Sequence, residues 1–211
     1  MKLKIYLFIK YSLDKIIALA ALVLLSPLMI AISIAVAADS KGAAIFRQPR
    51  EGQNRQIIRI FKFRTMKAKN VAFDKFNPVI EDDNENVTRV GKILRKYKLD
   101  ELPQLINVLI GDMSFVGPRP LLPIYSATYE KWEYMKFASR PGLTGLAQVN
   151  GNGYLSIQGR SYYDIYYNEH ISFITDCKIF FKTLFTVLSG EKKYLKEPPA
   201  ELIAEMKAKY E

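Results

Sequence analysis

Residues 16–38, IIALAALVLLSPLMIAISIAVAA, carry no charged side chain. A run of this length can cross a hydrocarbon core of about 30 Å. Inside lipid it can only be helical, because its backbone has no water to bond to. Ser26-Pro27 falls near its middle. Proline removes one helical hydrogen bond and crowds the preceding turn, so the helix bends or breaks there. The Ser26 hydroxyl is placed to satisfy a carbonyl that the break frees. Three arrangements fit such a segment. A cleaved signal peptide would use the basic start (Lys2, Lys4, Lys10) and the cleavage-like Ala35-Val36-Ala37, but the apolar run exceeds a usual signal core. A spanning helix is the second, with proline only bending it. A re-entrant helix, entering and returning on one side, is the third. Charge favours the third. Lys2, Lys4, Lys10 and Lys15 precede the run, and Arg47, Arg50, Arg55, Arg59, Lys62 and Arg64 follow it. Basic flanks stay cytoplasmic, and a straight span would export one of them. The expected division is a membrane-anchoring helix over residues 1–41 and a cytoplasmic catalytic domain over 42–211.

The most chemically suggestive stretch is Lys98-Leu99-Asp100-Glu101-Leu102-Pro103-Gln104-Leu105. Asp100 fits as the N-cap of a helix, Pro103 suits its first turn, and Leu102, Leu105, Ile106 and Leu109 recur at helical spacing. Gly111 reads as the stop. Arg95, Lys96 and Lys98 lie just upstream and Gly117-Pro118-Arg119-Pro120 just downstream. Prolines on either side restrict the backbone around Arg119, a setting suited to bidentate phosphate binding. A carboxylate among such cations is a nucleophile, a metal ligand or half of a structural ion pair.

The remaining chain suggests an α+β, mainly helical fold. Residues 44–48 and 56–64 read as a short β-hairpin turning at Glu51-Gly52-Gln53-Asn54. Lys62 and Arg64 share one face of the second strand, aimed at a phosphate or forming a basic edge. Residues 67–86 read as a loop or short helix with the acidic patch Glu81-Asp82-Asp83. Thr88 reads as the cap of a helix through Val90, Ile93, Leu94 and Tyr97. Residues 121–137 read as helical, a short strand is expected at 146–149, and an apolar helix spans 174–188 with Asp176 favoured in its first turn by the helix dipole. Pro198-Pro199 opens a polar helix suited to a membrane surface. The single Cys177 makes no intramolecular disulfide and no zinc cluster, and His170 fits a surface position. With 31 Lys+Arg against 21 Asp+Glu the formal charge is +10, which suits an anionic membrane face or a phosphorylated substrate. No nucleic-acid motif accompanies that charge, so no nucleic-acid partner is expected.

Five motifs occur in order: Lys62-Phe63-Arg64-Thr65-Met66, Leu99-Asp100-Glu101-Leu102-Pro103-Gln104, Gly111-Asp112-Met113-Ser114, Val116-Gly117-Pro118-Arg119-Pro120 and Pro141-Gly142-Leu143-Thr144-Gly145. Together they resemble the bacterial sugar transferase family, in its small, monotopic, PglC-like phosphoglycosyl transferase form, over nearly the whole chain. The resemblance implies transfer of a sugar-1-phosphate from a UDP-sugar to a polyprenyl phosphate, usually undecaprenyl phosphate, with release of UMP. It implies Mg2+, a covalent intermediate on Asp100 and Glu101 as dyad partner; Asp100 and Glu101 are the candidate metal ligands, with orientation of the phosphate the other role open to Glu101. It associates Lys62, Arg95, Arg119 and Asp176 with the site, matches Ser26-Pro27 to the break of a re-entrant helix, and places the protein on the cytoplasmic face of the bacterial inner membrane. The chain departs from many relatives at Asn152-Gly153-Tyr154, where an arginine is common, so sugar specificity is not inherited.

The chemistry of the residues agrees with this. A carboxylate that attacks phosphorus divides one transfer between two bulky anions into two steps. Phosphoryl transfer needs alignment and charge neutralisation more than proton transfer. The basic surroundings are expected to keep Asp100 ionised. A non-catalytic protein that binds anionic lipid is the alternative, but it has no use for Asp100 among arginines. A glycosidase needs carboxyls on opposite faces of a sugar, which neighbouring residues rarely supply.

Overall fold

A computed structural model describes residues 2–67, 84 and 86–211. The expected loop with Glu81-Asp82-Asp83 lies outside the described residues. The first element, α1 (Lys2–Asp39), carries Pro27 inside it. Proline at 27 deprives the Val23 carbonyl of its usual donor, and Ser26 Oγ donates to that carbonyl at 2.8 Å. The helix therefore continues where an unaided proline would have stopped it.

The hairpin forms as the alternation implies. β1 (Ile45–Glu51) pairs antiparallel with β2 (Ile57–Phe63), with Ile45 opposite Phe63 and Glu51 opposite Ile57. Pro49 is tolerated because β1 is an edge strand. In α2 (Arg89–Lys96) Thr88 caps as expected, its Oγ1 accepting from the Gly91 amide at 3.0 Å. Asp39, the last residue of α1, accepts from the Val90 amide at 2.8 Å. The end of one helix thus helps to start the next, at the amides that lack intrahelical partners.

The dyad segment differs from its expected form. The N-cap is Lys98, in the left-handed region at φ 56°, and Asp100 lies inside a 3-10 turn over Leu99–Gln104. That turn runs into α3 (Leu105–Ile110), which Gly111 ends at φ 94°. A tighter turn before the α-helix accommodates Pro103, which has no amide to give an α-helical bond.

β3 (Ser114–Val116) and β4 (Gly142–Thr144) form a small parallel pair, Ser114 opposite Gly142. The strand expected at 146–149 is displaced to Gly142–Thr144, and Gln148–Asn150 is a 3-10 turn. A side chain at Gly117 would meet the Arg140 carbonyl at 2.3 Å, so glycine lets these two backbones touch. The helix expected over 121–137 is interrupted. It becomes α4 (Pro123–Ser126) and a 3-10 segment, Lys131–Ala138, opened by a reciprocal cap between Glu130 and Glu133. That cap gives the backbone a second start and ends continuity. The chain closes with α5 (Ile157–Glu169), α6 (Phe173–Ser189) and α7 (Ala200–Tyr210). Trp132, Tyr162, Ile165 and Met206 pack together, so Trp132 belongs to the core. His170 is exposed and stacks on Tyr166.

Helix α1 is tied into this domain. Ala18 shares a cluster with Ile60, Val108 and Met113, and Ile32 and Val36 share another with Phe63 and Leu94. Ser114 Oγ donates to Asp14 Oδ2 at 2.6 Å. Lys10 donates to the Val116 carbonyl at 3.0 Å and ion-pairs with Asp176 on α6. In contrast, Val23, Leu24 and Ile30 of α1 and Phe173, Ile174, Phe181, Phe185 and Leu188 of α6 are exposed. Apolar exposure on this scale marks a surface meant for an apolar neighbour.

Candidate active site

The 3-10 turn after Lys98 places two successive carboxylates beside Lys62 and Arg119. Glu101 Oε1 accepts from Lys62 Nζ at 2.7 Å and from Arg119 Nη2 at 2.8 Å. Lys62 Nζ stands 4.0 Å from Asp100 Oδ2. β2 delivers Lys62, the loop after β3 delivers Arg119, and the dyad turn delivers both acids.

Geometry separates the two acids electrostatically. Burial alone raises Glu101, but the charges of Arg119 and Lys62 overcome it and hold its carboxyl well below the usual glutamate range. Burial also raises Asp100, the negative charge of Glu101 adds to this, and Lys62 only partly offsets the two. Basic surroundings were expected to favour the Asp100 carboxylate. Lys62, Lys98 and Arg119 do favour the Asp100 carboxylate, but burial and the charge of Glu101 outweigh them, so its pKa lies above the usual aspartate value. Glu101 in turn raises Arg119 above the usual guanidinium range.

A solvent-open cleft of about 400 Å3 reaches Glu101 and Arg119 between Lys98, Leu143, Thr144, Gln148, Thr183 and Glu191. Across it Lys98 Nζ pairs with Glu191 Oε1 at 2.8 Å, and Asn152 Nδ2 donates to the same oxygen at 2.9 Å. The departure at Asn152 therefore stands beside the cleft. A smaller, solvent-open recess also reaches Glu101 and Arg119, lined by Arg50, Ile60, Lys62, Glu101, Gln104, Arg119 and Pro120.

Two expected site residues are engaged elsewhere. Arg64 closes the C-terminal end of α1: its guanidinium donates to the Val36 carbonyl at 3.1 Å, the Ser40 carbonyl at 2.6 Å and the Ala43 carbonyl. Four unpaired carbonyls end every α-helix, and an arginine there satisfies several at once. Asp176 accepts from Lys10, from Tyr6 at 2.7 Å and from Tyr167 at 2.7 Å, so it fastens α6 to α1 instead of standing by the dyad. Arg95 lies in the last turn of α2. Sequence reasoning missed Arg50 and Glu191 as site residues, and named Lys98 only as a cation upstream of the dyad. Nothing in the pattern around Arg50 or Glu191 marks it.

Among the described residues no three His, Cys, Asp or Glu side chains gather as metal ligands. Magnesium needs no such cage, since it binds through one or two carboxylates completed by substrate phosphates and water. Asp100, which makes no hydrogen bond through its carboxylate among the described residues, fits that role, and so does the oxygen of Glu101 left free by Lys62 and Arg119.

The sequence model for bacterial sugar transferases matches residues 5–190. This chain belongs to the bacterial sugar transferase family. Its relatives include a UDP-N-acetylgalactosamine-undecaprenyl-phosphate N-acetylgalactosaminephosphotransferase of Aeromonas hydrophila, 37% identical over 88% of this chain and 45% of that protein. The exopolysaccharide production protein ExoY of Sinorhizobium fredii is 37% identical over 88% of each. A UDP-glucose:undecaprenyl-phosphate glucose-1-phosphate transferase of Escherichia coli is 38% identical over 88% of this chain and 41% of that protein. The chain thus spans under half the length of the Aeromonas and E. coli relatives. It carries the family's transferase region.

Proposed function

We propose that this sugar transferase moves a sugar-1-phosphate from a UDP-sugar onto undecaprenyl phosphate, through a phosphosugar carried on Asp100. The observation that carries the reading is the unequal treatment of the dyad. Glu101 is held by hydrogen bonds from Lys62 and Arg119, whereas the Asp100 carboxylate accepts no hydrogen bond among the described residues and meets Lys62 only at 4.0 Å. An acid that only held the fold together would be bonded as Glu101 is.

In the first step an Asp100 oxygen attacks the phosphorus that bears the sugar. The bond from that phosphorus to the bridging oxygen breaks, and UMP leaves. In the second step an oxygen of the lipid phosphate attacks the same phosphorus, and Asp100 regains its carboxylate. Arg119 and Lys62 face the charge that spreads over the equatorial oxygens. Magnesium, when bound through Asp100 and Glu101, supplies further neutralisation of the diphosphate. Burial of Asp100 strengthens its nucleophilicity by withholding water, and the same burial raises its pKa.

The reading includes a re-entrant anchor, with both ends of α1 on the cytoplasmic face of the bacterial inner membrane. What supports it is where α1 touches the domain. Ala18 and Val36 would stand roughly 27 Å apart along a straight helix. The β2 residues in their clusters, Ile60 and Phe63, are separated by only about 10 Å of strand. Between these contacts the exposed Val23, Leu24 and Leu28 surround Pro27, as the tip of a shallow wedge in lipid would. The exposed aromatic face of α6 suits the same interface.

Screening UDP-sugars for UMP release with undecaprenyl phosphate and magnesium tests the activity. Release with at least one sugar, dependent on Asp100, supports it. No release with any sugar defeats it.

A further inference from the structure

We propose that Arg50 is a phosphate-binding residue, forming with Lys62 and Arg119 a basic seat for one phosphoryl group, distinct from the wider cleft. This rests on the transferase reading for the identity of its ligand, a phosphate monoester or diphosphate. The geometry rests on observations of its own. The small cavity has three cationic side chains, Arg50, Lys62 and Arg119, against one carboxylate, Glu101. Glu101 Oε1 is already shared between Lys62 and Arg119, and among the described residues Arg50 forms no ion pair with an acid.

Arg50 has little other employment. Nη2 donates to Gln48 Oε1 at 2.6 Å, and Nη1 reaches the Pro120 carbonyl only at 3.4 Å. Its Nε is buried with no acceptor. A guanidinium is a planar fork of donors, and leaving one of them buried and unmatched is unfavourable unless an acceptor arrives. Burial, followed by the nearby charge of Arg119, lowers its pKa to about 10, which leaves it fully cationic at neutral pH. Two guanidiniums held together in a half-dry cavity repel each other. A bound anion removes that repulsion and fills the empty donors together.

Glu101 and Arg119 line both the small cavity and the wide cleft. The cleft, with Lys98 already paired to Glu191 and with threonines on its wall, has little charge left to offer a phosphate. The small cavity has an excess.

The probe is inorganic pyrophosphate, titrated calorimetrically into the full chain in lipid nanodiscs at fixed ionic strength. Arg50→Gln is compared with Arg47→Gln, which removes the same charge from an exposed position on the same strand. Arg50→Gln is expected to weaken binding about tenfold or more, and Arg47→Gln less than about twofold. Equal effects of the two variants, or no binding by the unaltered protein, overturn the proposal. If Arg50→Gln fails to fold, Arg50→Lys decides, because it keeps the charge but loses the fork. About threefold weaker binding supports the seat, and unaltered binding overturns it. Loss of UMP release for every sugar, with Arg50-dependent pyrophosphate binding intact, would defeat the transferase reading and leave the seat standing.

Discussion

Asp100 and Glu101 are neighbours in the chain and opposites in their surroundings: Glu101 takes the hydrogen bonds of Lys62 and Arg119, and Asp100 takes none among the described residues. Substitution should separate their roles. Asp100→Asn is expected to reduce transfer by at least about 10^4-fold, the scale seen when a nucleophile is removed. Its thermal midpoint should be unchanged or higher, since a buried carboxylate with raised pKa disfavours the folded state when ionised. Glu101→Gln should lower stability by about 3 kcal/mol, because Lys62 and Arg119 lose their buried partner. Thermal melts and single-turnover assays on both variants check this.

The pH dependence follows from the same pair. Asp100 attacks only as a carboxylate, so the acid limb of activity should lie above the ordinary aspartate value of about 3.9. Lys62 lowers the pKa of Asp100, so Lys62→Met should move that limb to higher pH. Stability runs the other way for Glu101. Its depressed pKa gives stabilisation that is present above the unfolded glutamate value and lost as pH falls through the folded one. A pH–rate profile and acid melts measure the two separately.

Lys10 and Asp176 join α1 to α6 at positions 166 residues apart. Both side chains are nearly buried, so Asp176→Asn leaves an unpaired lysine and should cost about 3–5 kcal/mol. The double variant Lys10→Met with Asp176→Leu should recover much of that loss. A denaturant series on the single and double variants in nanodiscs checks it. A single variant as stable as the unaltered protein would contradict the pairing.

Arg64 closes the C-terminal end of α1 through the Val36 and Ser40 carbonyls. Arg64→Ala should lower the melting temperature while leaving the KM for the nucleotide sugar unchanged at a temperature where the protein is folded. Steady-state kinetics across sugar concentrations measures this.

Cysteine tags before Lys10 and after Arg47 should both label from the cytoplasmic side of sealed vesicles. Labelling from opposite sides would favour a spanning helix.

The parts of the molecule legible in the sequence were those set by short-range rules. Alternation gave β1 and β2, Thr88 and Gly111 marked helix ends, and the uncharged run gave α1. Where two local rules competed, the reading slipped. Apolar spacing over 121–137 suggested one helix, but the reciprocal cap at Glu130 and Glu133 divides it. Long-range partners were invisible. Period two put Lys62 and Arg64 on one strand face, but only folding shows that Lys62 meets Glu101 while Arg64 reaches back to Val36 and Ser40. Asp176 looked like a helix-dipole acid until Lys10 was found beside it. Arg50 was one basic residue among many, and its significance depends on Glu101 being already committed.

The most direct test of the account is to mix the full chain with a productive UDP-sugar and magnesium, without lipid acceptor, quench, and weigh the protein and its peptides. A sugar-phosphate adduct on the peptide that carries Asp100, formed with one UMP per protein and absent from Asp100→Asn, is the expected result. Transfer to undecaprenyl phosphate with no such adduct, or an adduct that persists in Asp100→Asn, would contradict it.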